Sequence, residues 1–229
     1  MDLKIKDLVE LLQVPEKTIR RWIKDGEIPS HEIHHQYRFN RAEINEWILT
    51  HKPELSSRLL DLSIAGRPTR FTDLLRQGGI HAGVPGRTIK EILPRAIETI
   101  RIPKHLSAKE ILAALIDREE MMTTAIGRGI AIPHPRNPII TKVEDALVAI
   151  CFLKEPADLG ALDGRPVHTL FLLLTDHPRR HLEVLSKISY LCQDPAFLAM
   201  LEARRPASEI FDFIEARERE WRRAEAGTK

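Results

Sequence analysis

EDALVAICFLKEPADLGALDGRPVHTLFLLLT, residues 144–175, holds two short apolar runs on either side of a loop rich in turn residues. Neither run, EDALVAICFL (144–153) nor PVHTLFLLLT (166–175), alternates apolar with polar side chains. Short, continuous apolar segments bounded by turn signals read as strands buried on both faces. Ala146–Leu153 and Thr169–Leu174 are far too short to cross a bilayer. Between them ADLGALDGR supplies the Gly- and Asp-containing turn.

Outward from these strands the pattern changes to a helical period. Downstream, His181–Cys192, Pro195–Ala203 and Ser208–Glu220 carry apolar residues at helical spacing. Upstream, a helix is expected over Thr88–Ile100, and Ser107 with Glu110 three residues on caps another that runs to about Glu120. Phe71–Gly83 is poorly patterned. Strands alternating with helices give an α/β (α+β) layered domain, a mixed-sheet sandwich covered by helices.

The first fifty residues form a different unit. MDLKIKDLVELLQV opens as an amphipathic helix, with Leu3, Leu8, Leu11 and Leu12 on one stripe, and does not read as a signal peptide. Val14-Pro15 turns into a second helix, Glu16–Asp25, with Ile19, Trp22 and Ile23 inward and Gly26 ending it. EIHHQYRFN then suggests a β-hairpin with its tip near His34–Gln36, and Asn40 with Glu43 starts a third helix bearing Ile44, Trp47 and Ile48. HKPELSS and AGRP carry the breakers of a linker. The boundaries read as 1–51 for a small winged helix-turn-helix domain, 52–69 for the linker, 70–220 for the main domain and 221–229 for a tail.

Composition bounds what the chain can do. Hydrophobic residues make up 43% and charged residues 30% of 229 positions, and the formal net charge is +2. No global charge draws the chain to nucleic acid or membrane. Cys151 and Cys192, 41 positions apart in apolar segments, fit free thiols in a reducing cytoplasm. A soluble cytoplasmic protein without cofactor, metal or membrane span is expected.

In a helix-turn-helix the second helix enters the major groove. Its outward positions here are Lys17, Thr18, Arg20, Arg21 and Lys24, and Arg38 and Arg41 extend the contact from the hairpin. Arginine reads guanine bidentately, and Lys and Thr hold phosphates. Residues 1–52 contain nine Lys+Arg and nine Asp+Glu, so binding to double-stranded DNA would rest on this local face and on a homodimer. The plainer reading is a protein-interaction unit with a solvated charged surface. VPEKTIRRWIKDGEIP (14–29) followed by YRFN (37–40) is similar to the excisionase and MerR-like DNA-binding domains.

AIGRGIAIPHPR, Ala125–Arg136, sets one histidine between two prolines after a Gly-x-Gly turn. Prolines fix φ and glycines open conformations closed to other residues, so His134 is held on a stiff loop. Three readings stand: a structural histidine, a metal ligand with His177 and His181, and a nucleophile. The metal reading lacks Cys or Glu at a recognised spacing, and Pro178 falls between the two later histidines. A nucleophilic imidazole needs one nitrogen turned to the reactant and the other held in one tautomer.

RE (118–119), TAIGRGIAIPH (124–134), ADLGALDGRPVHTLFLLLT (157–175) and HLEVLSKISYL (181–191), in this order, resemble the enzyme IIA domains of the phosphoenolpyruvate-dependent phosphotransferase system. The class is the fructose/mannitol and nitrogen-regulatory one, and the likeness covers roughly residues 70–220. It implies that His134 accepts a phosphoryl group from the small phosphocarrier HPr. It also implies that Arg118, sixteen positions earlier, and His181 share the site. A guanidinium and an imidazole would stabilise charge on the phosphoryl oxygens. Gly127, Gly129 and Thr124 are expected to bring donors to the same oxygens, and Arg136 is a further candidate. This chain has Ala125 where the family has glycine, and one extra residue before His181.

Together the halves imply a cytoplasmic regulator in which the charge on His134 tunes DNA or partner binding, a phosphohistidine carrier more than a free-standing metabolic enzyme. The alternative is a phosphotransfer intermediate that passes phosphate from HPr to a separate IIB component. A third is a scaffold that works by contact alone.

Overall fold

The computed structural model describes residues 2–33, 36–40, 43–44, 47–48, 70–140 and 142–227. The chain divides into two compact units, residues 1–66 and 67–229. The proposed linker, Arg41 and the hairpin tip at His34 and His35 lie outside the described residues.

In the first unit β1 (Asp2–Leu3) precedes α1 (Ile5–Leu12) and α2 (Glu16–Lys24), and β2 (His31–Ile33) and β3 (Gln36–Asn40) form the wing. The opening residues are therefore a strand and not the start of the helix: Asp2 pairs with Asn40 and Leu3 with Phe39, antiparallel. Two residues of strand carry no period that could separate them from the amphipathic stripe that follows. The helix starts where the Lys4 N–H donates to Asp7 at 2.7 Å. β2 and β3 pair from His31↔Arg38 to Ile33↔Gln36. Leu8, Ile19, Trp22, Phe39, Ile44, Trp47 and Ile48 are buried together as the core of this unit. Trp22 and Trp47 lie 5.1 Å apart, and the Trp47 indole N–H donates to the Glu27 carbonyl at 2.5 Å, so the polar handle of a buried tryptophan is satisfied.

The second unit runs α3 (Phe71–Gly78), β4 (Ile80–Val84), α4 (Ile89–Thr99), α5 (Ala108–Met121), β5 (Ala125–Gly127), β6 (Ile130–Ala131), β7 (Leu147–Ala157), β8 (Val167–Leu174), α6 (Pro178–Leu191), α7 (Pro195–Glu202) and α8 (Ala207–Gly227). Its sheet has the order β4-β7-β8-β6-β5. β7 and β8 are antiparallel, paired from Leu147↔Leu174 to Phe152↔Thr169, while β4 joins β7 and β6 joins β8 in parallel. The two apolar runs are thus the adjacent central strands of a mixed sheet. Leu147 to Leu153 are buried without a break, which is why no alternation marks them.

The poorly patterned stretch holds α3 and β4. A Cβ on Gly78 would lie 2.2 Å from the Val148 carbonyl oxygen, so the helix closes on β7 only with glycine there. That packing glycine, followed by Gly79, looks like a turn in sequence. At the other end, α8 runs to Gly227, through the residues read as a tail.

α8 also returns to the start of the unit. No side chain at Arg70 caps α3. The Glu218 carboxylate does so from 147 positions away, accepting from the Phe71 N–H at 2.5 Å, the Thr72 N–H at 3.3 Å and the Thr72 hydroxyl at 2.6 Å. Glu218 is 4% exposed. Carboxylates at a helix N-terminus satisfy orphan N–H groups and the dipole together. Glu218→Ala leaves these buried donors unpaired and is expected to cost about 2–3 kcal/mol in urea unfolding, with Glu218→Gln milder. A loss below about 0.5 kcal/mol would contradict the capping role.

Candidate functional site

β5 and β6 form a short hairpin in which Ala125 faces Ala131 and Gly127 faces Ile130. Past the last pair the Ile132 N–H donates to the Thr124 carbonyl at 3.0 Å, and the Leu173 N–H donates to the Pro133 carbonyl at 3.0 Å. The Pro-His-Pro loop is therefore tied to the hairpin on one side and to β8 on the other. His134 is 2% exposed.

Its Nδ1 lies 2.7 Å from the Ile132 carbonyl oxygen. A carbonyl only accepts, so Nδ1 carries the proton and the lone pair is on Nε2. Nε2 is buried and makes no hydrogen bond among the described residues. Two other predicted residues come to it. His181, on the first turn of α6, places its ring centroid 4.8 Å from that of His134, tilted by 55°, and its Nδ1 is 3.4 Å from the Thr175 hydroxyl at the end of β8. Arg118, in the last turn of α5 and 6% exposed, anchors one end by donating to the Met122 carbonyl at 2.7 Å.

Burial and the Arg118 charge push the His134 pKa down to about 4, against smaller raising effects of the Ile132 hydrogen bond and Glu119. Burial, then His134 and Arg118, hold His181 well below its ordinary value. Both rings are neutral near pH 7 and sit beside a buried guanidinium. The Arg118 charge disfavours a further cation at either ring.

The remaining expected site residues are elsewhere. Gly127 and Gly129 turn the hairpin at the end away from His134, with φ of 87° and 77°. Their neighbour's N–H, that of Arg128, is given to the Asp163 carboxylate at 2.7 Å, and a Cβ on Gly129 would fall 2.3 Å from the His168 ring. With Asp163, Arg165 and His168, Gly129 lines a separate cleft of about 820 Å³. These glycines serve the turn and not a cradle at His134; the expectation is corrected by the length of strand between them. Thr124 does lie beside the loop, but both its donors go to Glu119: the N–H at 3.0 Å and the hydroxyl at 2.7 Å. Arg136 is exposed. His177 accepts from the Arg179 N–H at 3.1 Å and caps α6, whose first residue is Pro178. Among the described residues no cluster of His, Cys, Asp or Glu could hold a metal.

Sequence reasoning passed over Glu119, Thr175 and Asp163. The first stands in the RE pair beside Arg118 and could have been weighed there.

On the first unit Lys17, Arg20, Arg21 and Lys24 are exposed on α2, opposite buried Ile19 and Trp22, and Thr18 is half-buried. Arg20 is engaged by Glu16 at 2.6 Å, which leaves Lys17, Arg21 and Lys24 as a basic stripe at helical spacing. Arg38, on β3, donates to Gln36 at 2.8 Å.

A family model described as "Phosphoenolpyruvate-dependent sugar phosphotransferase system, EIIA 2" matches residues 73–217, and one described as "Helix-turn-helix domain" matches residues 3–52. The chain is 34% identical over 148 residues to a nitrogen regulatory protein of Pseudomonas aeruginosa, covering 63% of this chain and 94% of that one. It is 34% identical over 108 residues to the nitrogen regulatory protein of Bradyrhizobium diazoefficiens, covering 46% and 69%. Among solved structures, nitrogen regulatory protein IIA-Ntr from Neisseria meningitidis superposes with a TM-score of 0.54 at 25% identity, over 64% of this chain and 99% of that one. No helix among the described residues is long and apolar enough to cross a membrane.

Proposed function

The chain belongs to the EIIA type 2 family of the phosphoenolpyruvate-dependent sugar phosphotransferase system and carries a helix-turn-helix domain ahead of it; from that premise we propose that it is a phosphorylation-responsive regulator whose phosphoacceptor is His134. The observation that carries the reading is the hydrogen bond from Nδ1 to the Ile132 carbonyl, which leaves the lone pair on Nε2.

The step balances without a proton in transit. The Nε2 lone pair forms the new bond to phosphorus, the bond between phosphorus and the donor atom of an HPr-like phosphocarrier breaks, and that electron pair leaves with the carrier. Nδ1 keeps its proton throughout. The low pKa keeps Nε2 unprotonated at physiological pH, so the whole population is nucleophilic. Arg118 and His181 are proposed to meet the phosphoryl oxygens, a role supported by the Arg118 charge felt at His134 and by the 4.8 Å between the two histidine rings. Residues 1–51 are the proposed DNA-binding domain and 70–220 the phosphoacceptor domain.

The output is proposed to be DNA or partner binding. The names of the relatives, nitrogen regulatory proteins, favour a regulatory role, and the basic stripe of α2 supplies a groove-facing surface. Transfer places a phosphoryl dianion on a ring whose Nδ1 keeps its proton, a net change of about one negative charge at a buried histidine. The test compares duplex affinity and oligomeric state of the unmodified and phosphorylated chain, with Lys17→Ala/Arg21→Ala/Lys24→Ala as the control. The reading expects phosphorylation to move one of the two, and the triple variant to lose affinity and flatten its salt dependence. No change in either on phosphorylation would contradict coupling.

A further inference from the structure

Four groups lie in one hydrogen-bonded line that ends at the phosphoacceptor. The Glu119 carboxylate accepts from the Thr124 N–H at 3.0 Å and from its hydroxyl at 2.7 Å. The Thr124 carbonyl accepts from the Ile132 N–H at 3.0 Å. The Ile132 carbonyl accepts from His134 Nδ1 at 2.7 Å. Thr124, 1% exposed, and His134, 2% exposed, are both buried, so the line runs inward from a part-buried carboxylate to a buried ring.

The contacts are also divided between neighbours on one helix. Arg118 and Glu119 are consecutive in α5 and about 100° apart around its axis. The Arg118 charge acts on the His134 ring, and the Glu119 carboxylate holds Thr124, the residue ahead of β5, whose partner strand β6 leads into the His134 loop. One helix end therefore sets both the field around the ring and the backbone that holds the ring's proton.

We propose that Glu119 is a positioning residue for phosphoryl transfer: by clamping both donors of Thr124 it fixes the Thr124–Ile132 backbone pair, and through it the carbonyl that holds the proton on Nδ1 and the lone pair on Nε2 of His134. This rests on the reading of His134 as phosphoacceptor. Glu119 does not touch the reacting atoms. Its negative charge also raises the His134 pKa slightly against the Arg118 effect, which gives the residue a second, measurable mark.

The test has a readout that does not depend on transfer. In the full-length chain the imidazole nitrogens of His134 are followed by nitrogen-15 NMR, assigned against His134→Gln, in wild type, Glu119→Gln and Thr124→Val. Glu119→Gln keeps the shape but offers an amide N–H₂ where one oxygen accepts. Thr124→Val keeps the N–H and the volume but loses the hydroxyl. Wild type is expected to show a protonated Nδ1 and a bare Nε2. Glu119→Gln is expected to show a mixture of tautomers, a lower His134 pKa, and phosphoryl acceptance slowed tenfold or more. Thr124→Val is expected to act less strongly, and the double variant to be no worse than Glu119→Gln, since the two residues act through each other. Thr124→Ser is expected to restore the wild-type spectrum. Ring signals unchanged in a folded Glu119→Gln would overturn the proposal, as would an additive double variant. If the wild type showed the expected ring but took no phosphate, the function reading would fall while the positioning claim stood.

Discussion

Arg118→Met is expected to slow phosphoryl acceptance at His134 by about 10²–10³-fold, the usual cost of removing one preorganised donor from a water-poor site. Methionine fills the buried volume and removes the charge, so the effect isolates electrostatics from packing. The guanidinium is 6% exposed and anchored at one end by the Met122 carbonyl. It needs no reorganisation when negative charge develops beside it. The same substitution has a signature in the unphosphorylated protein. Arg118 is the second cause, after burial, of the low His134 pKa. Its removal is expected to raise that pKa while leaving it below 6.5. Arg118→Lys is expected to fall between, since an ammonium keeps the charge but not the fork. A rate within threefold of wild type, with an unmoved His134 titration, would show that Arg118 does not face the reacting group.

Acid is expected to unfold the second unit through the same histidine. In the unfolded chain His134 titrates near 6.5; in the folded chain, burial and Arg118 lower it to about 4. The unfolded state therefore binds the proton first. The contribution is fully present above pH 6.5 and is lost as pH falls from 6.5 toward 4. The size is roughly 3 kcal/mol for such a separation. His181 is shifted in the same direction and adds to the loss. His134→Gln, which cannot charge, is expected to flatten the fall in stability across this window by an amount of that order. Urea unfolding at pH 7.5 and 4.5 for the two proteins measures it. Parallel curves for wild type and variant would mean that His134 titrates normally and is not held neutral.

How much of this was legible in the residues depended on what each one had to do. β7 and β8 were legible because burial on both faces leaves a run with no polar interruption, and nothing else in the chain looks like that. Helices α5 and α6 were legible from caps and period, and Ser107 accepts from the Glu110 N–H at 3.2 Å as its spacing suggests. β1 was not, since two residues have no period, and its partner Phe39 is 36 positions away. α3 was hidden by Gly78, whose missing side chain serves contact with Val148 and not a turn. His134 stood out because two prolines and a Gly-x-Gly turn are an unusual mount. Arg118 and His181 came only through family resemblance, for a helical arginine and a helical histidine carry no local sign of what they face. The glycines misled for a related reason. Adjacency in sequence suggested adjacency at the site, whereas a hairpin carries its turn away from its ends.

Glu119 shows the limit of reading residues singly. As one acid of an RE pair on a helix it looks like half of a surface ion pair. Its carboxylate in fact meets two donors of one buried threonine, and only the register of β5 on β6 links that threonine to the phosphoacceptor loop.

The central claim, that Nε2 of His134 takes a phosphoryl group, is tested most directly by incubating the purified chain with phosphoenolpyruvate, enzyme I and HPr and recording intact mass without acid, with His134→Gln beside it. One acid-labile phosphoryl group on the wild type and none on the variant is the result expected. No added group on the wild type, or the same group on His134→Gln, would contradict it.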